Sequence, residues 1–77
     1  MRREIRSLVD FIIGTKDFYT LDRIRIAMDS VNCSLYYNNS NGLVFLDNET
    51  SQCITLGIER KLRRGEEIYK VTYAKIG

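Results

Sequence analysis

The chain has no histidine, no proline and no tryptophan. Without histidine it lacks both the commonest general base and the commonest metal ligand. Its two cysteines, Cys33 and Cys53, are too few for a disulfide scaffold and too few to close a tetrahedral metal site. Neither thiol nor any serine has an imidazole to activate it. The glycines are isolated, so no glycine loop of the kind that cradles phosphate is present. The longest uninterrupted apolar run, Leu43-Val44-Phe45-Leu46, falls far short of the roughly twenty residues that cross a bilayer. Charge of one sign is also missing. Twelve basic and ten acidic residues leave +2, and residues 1–32 and 33–77 each carry six basic and five acidic side chains. A dedicated duplex-DNA binder shows a stronger basic field, so nucleic acid is allowed but not indicated.

These absences leave an enzyme little to work with. The acidic residues available for paired acid–base work, Asp47, Glu49, Glu59, Glu66 and Glu67, fall at strand ends or turns, where solvated charges are ordinary. The expectation is a chain that is not an enzyme and takes no cofactor and no metal. The N-terminus reads as an amphipathic stretch interrupted by Asp10 and not as the plain apolar core of a secretory leader, so the expected compartment is cytoplasmic. On that view Asn32, Asn38 and Asn48, each followed two residues on by Ser or Thr, are turn residues and not glycosylation acceptors.

What is present is a change of period. Ile5, Leu8, Val9, Ile12 and Ile13 recur at helical spacing, with Gly14 as a candidate stop. Thr20 is a good N-cap for a second helix, with Asp22 in its first turn and Tyr19 and Ile24 at hydrophobic-staple spacing. Leu21, Ile24, Ala27, Met28 and Val31 make its apolar stripe, and Ile26 falls off it. After Val31 the period drops to two. Strands are expected at Leu35–Asn38, Leu43–Leu46, Gln52–Lys61 and Glu67–Lys75. The sequence thus predicts one α+β domain over residues 1–77, two N-terminal helices packed on a four-stranded antiparallel meander. The competing fold is a winged helix–turn–helix, with Cys33–Gly42 as recognition helix and Arg60–Arg64 as wing tip. The run Asn38-Asn39-Ser40-Asn41-Gly42, poor in helix formers, weighs against it.

Register follows by arithmetic. With Asn41-Gly42 as a two-residue loop, Val44 faces Asn39 and Leu46 faces Tyr37. With Arg64-Gly65 as the second loop, Arg63 faces Glu66, Glu59 faces Lys70, Ile58 faces Val71 and Leu56 faces Tyr73. The predicted core is then Ile5, Leu8, Ile12, Leu21, Ile24, Met28, Leu35, Val44, Leu46, Ile54, Leu56, Ile58, Val71 and Tyr73. Cys33 and Cys53 lie on strands separated by a third, about 9–10 Å apart, and are expected to be free thiols.

Two functional readings follow. The first places Tyr36, Leu43 and Phe45 on the outer sheet face beside Gly57 as a protein-binding patch, unless the trio forms a second apolar layer under a helix. On this reading the chain is a small non-enzymatic regulator or inhibitor that occupies a partner's surface, or a homodimer formed through the same patch. Such a chain suits the type of accessory protein encoded by viruses and mobile elements. The second reading places phosphate contacts on the basic hairpin tip, at Arg60, Lys61, Arg63 and Arg64.

Overall fold

A computed structural model describes all of residues 1–77. Helix α1 spans Arg3–Thr15, strand β1 Tyr19–Thr20, helix α2 Leu21–Asp29, and strands β2 to β5 Cys33–Asn39, Gly42–Asp47, Cys53–Arg63 and Glu66–Ile76. The architecture is α+β, with two helices and one antiparallel sheet. The sheet has five strands in the order β1-β5-β4-β3-β2, which corrects the expected four. The extra strand is the pair Tyr19–Thr20, lying against Tyr69 and Ile68. Two residues carry no periodicity, which is why β1 leaves no trace in the pattern. Cys33–Asn39 is a strand and not a recognition helix, so the winged-helix alternative does not hold.

Local chemistry explains the element ends. The Thr20 hydroxyl accepts the Arg23 N–H at 3.2 Å and starts α2. Helix α1 runs through Gly14 and ends at Lys16, whose left-handed φ of 55° turns its N–H back to the Ile13 carbonyl. The β4–β5 loop is Arg64-Gly65, at φ 53° and 80°, the mirror-image turn that matches the strand twist. The β2–β3 loop is Ser40-Asn41, since Asn39 faces Gly42. Here the Asn39 carboxamide oxygen accepts the N–H groups of Asn41 at 2.8 Å and Gly42 at 3.2 Å. This side-chain turn replaces the Asn41-Gly42 turn expected from the sequence. Gly42 is needed beside it for a different reason. Its φ is 144° and a Cβ there would lie 2.1 Å from the Leu56 carbonyl oxygen.

One cluster of twelve buried residues joins both helices and the sheet. Ile5, Val9 and Ile12 come from α1, Ile24 and Met28 from α2, and Cys33, Leu43, Phe45, Ile54, Leu56, Tyr69 and Val71 from the strands. Leu43 and Phe45 are fully buried and sit opposite Leu56 and Ile54. They were expected on the outer face; they belong to the inner one. Val44, expected inside, alternates with them and points outward, and Tyr73 is 48% exposed.

Two bulges also separate side chains that unbroken alternation would keep on one face. Leu35 faces Phe45 but Tyr37 faces Val44, so Tyr36 is an extra residue in β2. Ile58 faces Val71 but Gly57 faces Tyr73, so Thr72 is an extra residue in β5. Side chains alternate with period two, so one inserted residue reverses the facing of everything beyond it. In the second hairpin the expected register holds from Arg63↔Glu66 to Ile58↔Val71 and fails beyond, where Leu56 faces Ala74.

Asp47 is the one fully buried acid. The Arg2 guanidinium donates from Nε to both carboxylate oxygens, at 3.2 and 3.0 Å, and from Nη2 to the Val31 carbonyl. The Glu49 N–H and the Thr50 hydroxyl complete the shell at 2.9 and 3.0 Å. One carboxylate therefore ties the N-terminus, the end of α2 and the β3–β4 loop together. The hydrogen bond from Arg2, aided by those from Glu49 and Thr50, outweighs burial and lowers the Asp47 pKa from 3.8 to about 2.

Two outcomes follow. Leu56→Ala should cost about 2–5 kcal/mol, because the side chain is fully buried and its loss leaves a cavity; paired urea melts measure it. Because the folded-state pKa of Asp47 is depressed, its contribution is full above about pH 4 and disappears as pH falls through about 2. Urea midpoints across that window should fall for the wild type, while Asp47→Asn should start lower and lack this component of the slope.

Candidate interaction surface

The outer face of the sheet is built from one row across four strands. Tyr37 faces Val44, Val44 faces Thr55, and Thr55 faces Lys75. A second position, Gly57 opposite Tyr73, lies alongside. A Cβ on Gly57 would come within 2.0 Å of the Tyr73 ring, so the bare glycine lets the ring lie on the backbone. An aromatic across from a glycine shields exposed main chain in this way. The row surrounds an open depression of about 350 Å³ that Tyr37, Val44, Thr55, Tyr73 and Lys75 line together with Asn39, Asn41 and Gly77. At its floor Val44 and Thr55 are buried, 5% and 6% exposed, and the Thr55 hydroxyl donates to the Gly77 carbonyl at 2.5 Å.

Three tyrosines stand at this surface or its edge. Tyr36, Tyr37 and Tyr73 are 62%, 47% and 48% exposed. The bulge brings the adjacent Tyr36 and Tyr37 rings together, with centroids 5.1 Å apart and planes tilted by 51°. Of the patch expected from the sequence, only Tyr36 is at the surface. Tyr73 was missed because unbroken alternation assigns it to the core, and Tyr37 because it shares a face with Val44 and Leu46, which were expected inside. The legible signal was Gly57, since a glycine inside a strand often marks a bulge or a close approach to bare backbone.

The basic tip is divided. Residues 59–67 of β4 and β5 are all exposed, forming an arm that projects past the core. Arg60 is bound at its root: its guanidinium donates to Glu67 at 3.1 Å, to the Asn38 carboxamide oxygen at 2.9 Å and to the Asn39 carbonyl, and lies 5.5 Å from the Tyr69 ring centre. The Tyr69 hydroxyl donates to Glu67 at 2.5 Å. That bond, with Arg60 nearby, holds the Glu67 carboxyl below its usual range. Burial and the same bond push the Tyr69 phenol up. Lys61 stands over the Phe18 ring at 5.1 Å, and Lys70 shares that ring at 5.2 Å. Only Arg63 and Arg64, at the turn, are engaged neither by an acid within ion-pair distance nor by a ring.

Cys33 and Cys53 are free. Burial, and then the neighbouring Asp47, raise the Cys33 thiol, which makes it a small hydrophobe and a poor nucleophile. No helix is long and apolar enough to cross a membrane. No protein-family model matches the chain, and neither a curated protein nor a solved structure is recognisably similar to it.

The two close-approach glycines should respond differently. Gly57→Ala meets only the Tyr73 ring, which can swing outward, so the tyrosine's NMR signals should move with a small loss of stability. Gly42→Ala meets backbone at a positive φ and should lower the urea midpoint more. Equal shifts for the two variants would mean that Tyr73 does not rest on Gly57.

Proposed function

We propose that the chain is a non-enzymatic protein-binding module, a small regulator or inhibitor that works by covering part of a partner's surface. The observation that carries this is the outer sheet face, where Tyr37 and Tyr73 flank an open depression and the Tyr36 ring meets that of Tyr37 at its edge. Rigid, amphipathic tyrosines anchor interfaces because they bury large area at little conformational cost. The polar rim such anchors need is supplied by Asn39, Asn41 and Lys75. Leu43 and Phe45 contribute from beneath, as core residues that hold β3 in place.

The alternative, nucleic-acid binding at the hairpin tip, rests on Arg63 and Arg64 alone once Arg60 and Lys61 are engaged elsewhere. Salt separates the two readings. Binding through two phosphate contacts falls about tenfold between about 50 and 200 mM salt, whereas apolar docking changes little.

The test is a double substitution, Tyr37→Ser with Tyr73→Ser. It should keep the circular dichroism of the wild type and lose the proteins that the wild type retains from nuclease-treated extract of its source. Phe45→Ser, in contrast, should unfold the chain, since that ring is fully buried. A folded tyrosine variant that still retains everything ends the outer-face reading. Binding that survives it and vanishes with Arg63→Ala and Arg64→Ala points to the tip.

A further inference from the structure

Strand β2 ends the sheet, so the side of its backbone turned away from β3 carries amide and carbonyl groups with no strand beside them. Proteins commonly guard such edges with charge. Here the chain carries no charged residue between Asp29 and Asp47, and the one irregularity on the edge is the bulge at Tyr36. Helix α2 runs alongside. Between helix and edge lies an open groove of about 570 Å³, lined by Asp22, Arg25, Ile26 and Asp29 from α2 and by Ser34 and Leu35 from β2. Ile26 is the residue that falls off the apolar stripe of α2, and it is 71% exposed. Arg25 lies 3.5 Å from Asp22, while Asp29 has no cation within ion-pair distance. The groove therefore combines free main-chain hydrogen-bonding groups, an apolar wall and an unmatched negative charge.

We infer that this groove accepts an extended, basic segment of a partner protein as a further strand on β2. Main-chain bonds to the edge supply the attachment, an apolar side chain rests on Ile26 and Leu35, and a lysine or arginine reaches Asp29. A second copy of the chain fits less well. Its α2 brings the same Asp22, Arg25 and Asp29, with Arg25 already 3.5 Å from Asp22, and its β2 carries no charge, so a second copy paired along this edge offers Asp29 no free cation. The inference rests on the reading of the chain as a protein-binding module, but it uses the sheet edge where that reading uses the outer face.

The probe is a synthetic peptide of about ten alternating valines and lysines, the length of one strand. Two controls accompany it: the same peptide with glutamate for lysine, and the same peptide methylated at alternate backbone nitrogens. In the presence of the lysine peptide, amides from Cys33 to Tyr37 should exchange more slowly and the Ile26 methyl signals should move. The glutamate and N-methyl peptides should bind weaker by about fivefold or more, and Asp29→Lys should reverse the charge preference. The Tyr37→Ser, Tyr73→Ser protein should bind the lysine peptide as the wild type does. Equal binding by the N-methyl peptide, equal binding by both charge forms, or no binding at all overturns the inference. So does sedimentation as a dimer whose β2 amides are already protected. Signals that move only at Tyr37 and Tyr73 overturn it while leaving the outer-face reading in place.

Discussion

A residue in a strand can face only one side of its sheet, and a single inserted residue exchanges the sides for all that follows. This constraint governs the molecule. The extra Tyr36 in β2 and the extra Thr72 in β5 decide which side chains join the helices in the core and which meet solvent. Leu43, Phe45, Ile54 and Leu56 face inward together through the unshifted β3–β4 register, while the bulges part Leu35 from Tyr37 in β2 and Val71 from Tyr73 in β5 and leave both tyrosines on the opposite side with Val44 and Thr55. The Thr72 hydroxyl donates to the Gly57 carbonyl at 3.1 Å, so the irregularity in β5 satisfies a carbonyl that the interrupted ladder borders. Bulges also increase local twist. Both hairpins that contain them contribute to the curl of the sheet around its inner face.

A second constraint is electrostatic. Asp47 is buried without cost to the ladder because three donors, from the N-terminus and the β3–β4 loop, make four hydrogen bonds to it. Arg2 also approaches Glu49 at 3.3 Å and Glu4 at 3.6 Å, which spreads its charge over exposed acids as well. A buried carboxylate held this way adds little net energy over an apolar substitute, but leaving it unpaired is expensive. What the structure shows is a tether: the carboxylate holds the N-terminus, through Arg2, against the β3–β4 loop.

Much of the fold was legible in the sequence because it rests on local rules. The Thr20 cap, the stripe of α2, the outlying Ile26 and the Arg64-Gly65 turn all depend on residues within a turn or two of one another. The register from Arg63 to Ile58 followed from counting outward from that turn. Legibility stopped at each bulge, since an inserted residue changes nothing in composition and little in hydropathy. That one failure misplaced Tyr73; in the first hairpin the bulge parts Leu35 from Tyr37 and Val44 and sets it with Phe45, so the face chosen as inner was the wrong one for Leu43, Val44 and Phe45. The candidate surface was therefore found on the right strands and the wrong side. The division of the basic cluster was beyond reach for another reason. Arg60 is engaged by Asn38 and Asn39 on β2 and by Glu67 on β5, and no sequence spacing announces such a contact.

The connectivity also orders events in time. Strands β2 to β5 form a meander in which every pairing joins neighbours in the chain, and such contacts close short loops quickly. The first twenty residues are different. Arg2 waits for Asp47, forty-five positions away, and β1 can pair only when Tyr69 and Ile68 are present. During synthesis on a ribosome, then, the earliest part of the chain to emerge is the last able to settle. Until β5 has been made, the apolar faces of α1 and α2 have only part of their final cover, and any chaperone that attends this protein would meet it there.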